Sequence, residues 1–393
     1  MTSHQNSLSA SAVDFPIRLL FMMDVVDSDR CGSEQHLKWL QANLNSALFE
    51  KHFLIFSLLN CPPDRFPVVP LVLGQKYGNK KSSLPKRFQA LVRFICENDI
   101  DLIHAFTPYD ELLAACASYF ARKKIGIVGH RRNIGYALTC KLRMMSRAAR
   151  WFGGIQYIAN SQAAADAADE KEKISRQLFT IIPNPISETR RQEGFANPIL
   201  RKEFGVAADV FLIGCVATIR SIKGHETLLH AAKTVLQKHP NTHFLCVGEQ
   251  PDADYFAMLK RLAEALGITQ HLTWYGSVDN PYRLLPTFDL AVLPSYSESF
   301  SNSILEYAAS GLPIIASDVG GMREIINDNQ TGCLVSSKEP EQLAEKILLL
   351  LNSPILRREL KTQTKQFAEK EFAENSVLQK YVDCYAKVLC KKI

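Results

Sequence analysis

Two series of short apolar runs, each run followed by a longer amphipathic stretch, fill most of this chain and leave few architectures open to it. The first series reads RLLFMM, FLIFSLL, DLIHAF, IGIVG, QYIAN and FTIIPN between residues 18 and 184. The second reads FLIGCVATI, THFLCVG, LTWYG, DLAVLP, LPIIAS and TGCLV between residues 211 and 335. Each run has strand length, and the intervals leave room for crossover helices, which is the signature of a parallel, doubly wound sheet. Between the series, IIPNPISETRRQEGFANP carries Pro183, Pro185 and Pro198 without periodicity, as a linker does. The expected fold class is α/β: two Rossmann-like, doubly wound parallel-sheet domains facing across a cleft. The expected boundaries are a disordered N-terminus at 1–15, an N-terminal domain at 16–187, a C-terminal domain at 188–372 and a helix at 373–393 packing back on the first domain.

At 393 residues, 47% hydrophobic and 22% charged, the chain has ample material for two cores. RLLFMM is too short, and too close to Asp24, for a signal-peptide core or a membrane span, and no other apolar run reaches spanning length. The ten cysteines are scattered without a C-x-x-C pair, so reduced thiols in a cytoplasmic protein are expected. The net charge of +6 is uneven: 23 Lys and Arg stand against 17 Asp and Glu through Thr189, and 23 against 23 beyond it.

In open α/β sheets, ligands sit beyond the carboxyl ends of the strands, so functional residues belong in the loops that follow strands. After DLAVLP comes SYSESFSNSILEYAASG, in which Ser301 or Asn302 suits a helix N-cap and Gly311 a helix end. The N-terminus of that helix is an anion site, with Glu298 at its lip and Glu306 in its second turn. A pyrophosphate flanked by two polyhydroxylated groups, as in a nucleotide sugar, matches this layout. A helix-start acid followed by a solvated glutamate matches the spacing equally well.

The longer stretch SYSESFSNSILEYAASGLPIIASDVGGMREIINDNQTGCLV resembles the donor-site signature of retaining GT-B glycosyltransferases of family four, the glycosyl transferases group 1. The resemblance implies a GT-B fold, with Glu298 on the donor sugar, Glu306 on the nucleotide ribose, and backbone amides of Phe300, Ser301 and Asn302 on sugar hydroxyls and phosphate. In RSIKGHETLLHAA, Arg220 and Lys223 stand where the family has an Arg and a Lys-Gly, at closer spacing than in many members; two cations there would neutralise a leaving diphosphate. The loop holding Ser277 and Val278 falls where the family meets the base. Gly32 falls in a Gly-Gly-Ala-Glu type loop, with Cys31 replacing the first glycine, or else in an ordinary βα turn.

In IVGHRRNIGY many members have a histidine that reaches the donor sugar, and aligning the strand puts Arg131 there with His130 just before it. Adjacent strand residues point to opposite faces, so only one of the two faces the cleft, and Arg131 is the expected one. His104 in DLIHAF follows the family's Asp-x-x-His and equally suits a satisfied histidine at a strand end.

The resemblance implies a retaining, front-face transfer from a UDP- or GDP-sugar to a hydroxyl acceptor, in polysaccharide, lipopolysaccharide or glycolipid assembly. No metal and no cofactor are expected, because the nucleotide sugar is a substrate and no Asp-x-Asp motif stands in a fitting context. The basic first half, with Lys76, Lys80, Lys81, Lys86 and Arg87 in one loop and Arg143, Arg147 and Arg150 on one helical arc, is the expected side for a saccharide or lipid-linked acceptor; the segments suit peripheral contact with an anionic membrane, and an ordinary amphipathic helix covering the sheet accounts for them first. Nucleic acid is not expected, since no aromatic interleaving accompanies the charge. A GT-B nucleotide-sugar epimerase and a catalytically silent nucleotide-sugar-binding subunit stay open as alternatives. A dinucleotide oxidoreductase is disfavoured because no G-x-G-x-x-G follows the first strand of either half.

Overall fold

The computed structural model describes residues 16–26, 32–58, 71–72, 84–134 and 140–390. The first domain is built on seven strands: β1 (Ile17–Val26), β2 (Phe49–Leu58), β3 (Leu71–Val72), β4 (Leu102–Ala105), β5 (Gly126–Arg131), β6 (Gln156–Ala159) and β7 (Phe179–Ile181). Their order is β3-β2-β1-β4-β5-β6-β7, and every pairing is parallel. The second domain has β8 (Phe211–Val216), β9 (Thr242–Val247), β10 (Leu272–Gly276), β11 (Leu290–Leu293), β12 (Ile314–Ser317) and β13 (Cys333–Val335), in the order β10-β9-β8-β11-β12-β13, again all parallel. All twelve apolar runs form strands; β3 is an addition, two residues that extend the first sheet beside β2.

The strand order reverses between β1 and β4 in one domain and between β8 and β11 in the other, which is where an open α/β sheet leaves a crevice at its carboxyl edge. Helices cover the sheets. They are α1 (Gly32–Asn43), α2 (Leu84–Glu97), α3 (Pro108–Phe120), α4 (Cys140–Gly153), α5 (Gln162–Glu172), α6 (Glu188–Ala196), α7 (His225–Lys238), α8 (Ala253–Ala265), α9 (Asn302–Ala309), α10 (Pro340–Asn352) and α11 (Pro354–Glu371), and of these α1, α6 and α9 line the interdomain cavity. Local chemistry sets several of their starts. Thr107 and Asp110 form a reciprocal capping box on α3, and Ser161 caps α5 through the Ala164 amide.

The last helix, α12 (Glu374–Cys390), returns to the first domain, where Val377, Tyr381, Tyr385 and Val388 share a core with Leu19 and Phe21 of β1 and Phe49 and Phe53 of β2. The chain therefore passes between domains twice, and the two passages are joined where the Ile186 amide donates to the Phe372 carbonyl at 2.9 Å. No helix among the described residues is long and apolar enough to cross a membrane.

Candidate active site

Two loops of the second domain meet beside the interdomain seam, where Ser299 touches the first domain; Arg220, Lys223 and Glu298 do not line the cavity that Glu306 faces. The first follows β8 and ends in a short turn, Ser221–Lys223, closed by Gly224 at φ +70°; a Cβ there would stand 1.9 Å from the Pro294 carbonyl oxygen, so only glycine lets this turn lie against the loop after β11. The Tyr296 amide completes the contact by donating to the Ile222 carbonyl at 2.7 Å. Lys223 and Glu298 consequently meet as an ion pair, and Ser295 Oγ donates to the same Glu298 Oε1 at 2.9 Å. Gly320, at φ +53°, lets the Gly-Gly segment after β12 pass the Glu298 carbonyl, which a Cβ would approach to 1.6 Å. Arg220 opens the Ser221–Lys223 turn, exposed and without an ion pair among the described residues.

Ser301 caps α9 through the Ile304 amide, as the sequence suggested. The Phe300 side chain points into the core against Phe372, which leaves only its backbone for the cleft. Glu306, one turn further along α9, faces a cavity of about 500 Å³ between the domains. Burial pushes its carboxyl up to about 7, partly offset by Arg190 at 3.8 Å. Val278 is half-buried at the end of β10 and packs on the second core, while Asp279 beside it borders the cavity. The opposite wall is α1, with His36, Lys38 and Trp39; Gly32 is the first residue of that helix, and Cys31 lies outside the described residues.

The end of β5 departs from expectation. Arg131 does not face the cleft. Its guanidinium is buried between Glu111 of α3 and Glu172 of α5, with Nη2 2.7 Å from Glu172 Oε2 and Nε 2.9 Å from Glu172 Oε1, and it lies 5.0 Å over the Tyr157 ring. Burial opposes its charge, but the two carboxylates outweigh burial and hold the guanidinium protonated. The alternation of a strand then places His130 and Arg132 together on the other face. His130 Nδ1 lies 3.1 Å from His104 Nε2, and His104 Nδ1 lies 2.8 Å from the Tyr385 hydroxyl. His36 Nε2 is 2.7 Å from the Tyr381 hydroxyl. Burial, reinforced by Arg132, pushes all three histidines far down, His104 to about 3, so this cluster is neutral at physiological pH.

Arg132 was not singled out from the sequence, nor were His36, Trp39 or Arg190, although the same alternation that excluded one of His130 and Arg131 pairs His130 with Arg132. It borders the cavity and donates from Nη2 to Asn184 Oδ1 at 2.7 Å. Asn184 in turn donates to Asn302 Oδ1 at 2.5 Å, and Ser299 Oγ donates to the Arg132 carbonyl at 2.5 Å. On the same side, Glu324 of the second domain accepts from the amides of Gln162 at 2.9 Å and Ala163 at 3.2 Å, capping α5 of the first. The loop that holds Glu298 and the loop that follows β5 are thus closed upon each other. Among the described residues no group of three His, Cys, Asp or Glu is placed to hold a metal ion.

Comparison with known proteins bears on the family and the fold. Residues 197–367 match the family model described as glycosyl transferases group 1, and residues 32–190 match that of Glycosyltransferase Family 4. A D-inositol 3-phosphate glycosyltransferase of Rhodococcus erythropolis is 29% identical over 255 residues, covering 60% of this chain and 56% of that protein, so the match spans little more than half the relative's length. EpsD of Bacillus subtilis is 25% identical over 337 residues, 79% of this chain and 85% of its own. The structure of Anabaena HepE in complex with UDP superposes with a TM-score of 0.79 at 21% identity, over 94% of this chain and 100% of that one. With the two family models in tandem along both domains and a GT-B neighbour superposing over nearly the whole length, the chain belongs to the family-four GT-B glycosyltransferases.

Proposed function

We propose that the protein is a retaining glycosyltransferase that moves a sugar from a nucleotide-sugar donor to a hydroxyl acceptor without a divalent cation. The observation that carries this reading is the pairing of Lys223 with Glu298 beside the N-terminus of α9, with Glu306 one turn away in the cavity wall. Glu298 accepts hydrogen bonds from the donor sugar and Glu306 from the ribose. Lys223, Arg220 and the free amides of α9 take up the negative charge that develops on the leaving diphosphate. The glycosidic bond to the acceptor oxygen forms on the face from which the diphosphate leaves, and the acceptor proton passes to the departing phosphate oxygen. No protein carboxylate is needed as nucleophile.

UDP is the favoured nucleotide, because Anabaena HepE was solved with UDP and with UDP-glucose; GDP-sugars are the other class to test. Assembly of a polysaccharide, lipopolysaccharide or glycolipid is the favoured setting: one structural neighbour, TM-score 0.68, is described as a glycosyltransferase involved in lipopolysaccharide biosynthesis. The first domain receives the acceptor. Its helix α4 exposes Arg143 and Arg147 next to Trp151 and Met144, which are 83% and 66% exposed, an arrangement suited to an anionic membrane surface. Arg150 does not share that face; it turns inward to donate to Ser146 Oγ at 2.9 Å and to the Glu172 carbonyl at 3.2 Å. Lys76, Lys80 and Lys81 lie outside the described residues; Lys86 and Arg87 fall not in a loop but in the first turn of the helix Leu84–Glu97, and their side chains lie outside the description.

The test is a thermal-shift screen of UDP-, GDP- and ADP-sugars, followed by turnover of whichever donor binds, with and without a chelator. Stabilisation by one nucleotide class and chelator-resistant transfer support the reading, and a protein that binds none of them sinks it. Donor epimerisation with no acceptor present identifies an epimerase, and binding without turnover identifies a silent subunit. Flotation with anionic against neutral vesicles decides the membrane contact.

A further inference from the structure

Two consecutive arginines at the end of β5 have opposite fates. Arg131 is matched by two carboxylates, whereas Arg132 enters no ion pair among the described residues. One of its donors reaches Asn184, and its Nη1 is shut away from solvent with no acceptor. The rings around it add neither charge nor compensation, since His36, His104 and His130 are neutral. Burial lowers the guanidinium to about 10, which leaves it charged at neutral pH. A half-buried cation with an unanswered nitrogen costs free energy that a bound anion restores.

The position says which anion. Arg132 borders the interdomain cavity from the first domain, and Asn184 links it to Asn302, the first residue of α9. That helix starts at the edge of the same space, which Asn302 and, in its second turn, Glu306 line. A ligand with a hydroxylated ring on Glu306 and its negative charge at the start of α9 brings that charge within reach of the Arg132 fork.

We infer that Arg132 is a binding residue for the diphosphate of the donor, supplied by the first domain and engaged only when the cleft is closed. The inference rests on the nucleotide-sugar reading above. It makes the leaving group a shared ligand: Lys223 and Arg220 reach it from one domain and Arg132 from the other, so full charge neutralisation and closure coincide.

The experiment is calorimetric titration of the wild type, Arg132→Gln and Arg132→Lys with the nucleoside, the nucleoside monophosphate and the nucleoside diphosphate of the base found by the screen. Arg132→Gln is expected to lose about tenfold to hundredfold in affinity for the diphosphate, the range for a charged hydrogen-bonding partner, with the nucleoside unchanged. Arg132→Lys is expected to fall between, because it keeps the charge and loses the fork. Should Arg132→Gln not fold, Arg132→Lys decides alone. A variant that binds the diphosphate as the wild type does, or that loses nucleoside and diphosphate equally, overturns the assignment. A wild type that binds no nucleoside diphosphate overturns the nucleotide-sugar reading first, and this inference with it.

Discussion

Lys223 and Glu298 come from loops 75 residues apart in sequence and neutralise one another at the start of α9. The pair does two things at once. On the proposed reading it holds Glu298 for a sugar hydroxyl and keeps a cation beside the path of the leaving group. Replacing Lys223 with Ala is expected to lower kcat by about 100-fold or more, the scale for losing one preorganised charge-stabilising group. Glu298→Ala should damage sugar-dependent binding and turnover while leaving affinity for the free nucleoside diphosphate near that of the wild type. Initial rates and calorimetry on both variants check this; equal loss of nucleotide affinity in the two would reassign Glu298.

Glu306 makes stability depend on pH in an unusual direction. Its carboxyl titrates at about 7 in the folded protein against an ordinary value of 4.5, so the folded state holds the proton longer than the unfolded one. Stability contributed by this group is therefore present below pH 4.5, falls as pH rises toward 7, and is level beyond. At about 1.4 kcal/mol per pKa unit, the loss is roughly 3 kcal/mol. Glu306→Gln should consequently melt higher than the wild type at about pH 8 in the absence of ligand, with the difference much smaller at pH 4.5. The same substitution, and Glu306→Ala more so, should weaken nucleotide binding. Melting curves at the two pH values, with and without nucleotide, separate these effects.

The Glu111–Arg131–Glu172 cluster carries structure rather than substrate. Arg131→Met leaves two buried carboxylates without a cation, and burial already pushes Glu111 above the ordinary carboxylate range. A loss of about 3–5 kcal/mol is expected from breaking such a cluster on one side, read as the change in urea unfolding free energy. Replacing all three residues with apolar ones of similar volume should recover much of it. Donor affinity of the folded fraction is expected to stay unchanged.

Glu324 gives closure a local reporter. It caps α5 across the cleft, and burial raises its carboxyl while the amides of Gln162 and Ala163 draw it back down. Glu324→Ala should cost about 1 kcal/mol of capping and speed hydrogen exchange at Gln162 and Ala163. Donor addition should slow exchange at both amides in the wild type and do so far less in the variant.

The second-domain candidates could be grouped from the sequence because they are local: Glu298, Ser301 and Glu306 lie within nine residues of one another, on one loop and the helix that continues it. The periodic apolar runs gave both sheets for a similar reason, since a strand buried on both faces shows as an unbroken apolar stretch. β3 escaped because two residues carry no period. Arg131 and Arg132 could not be assigned without knowing that α3 and α5 bring Glu111 and Glu172 to one face of β5. His36, Trp39 and Tyr381 meet because α12 travels back across the molecule, a contact between residues 345 positions apart in the case of His36 and Tyr381. No short-range pattern announces such a meeting.

The doubled passage between the domains, fastened at Ile186 and Phe372, has a mechanical consequence. A single tether permits bending and swivelling alike, whereas two strands side by side form a strap, supple about one axis and stiff to torsion. Any rotation of one domain on the other therefore has to bend both passages together.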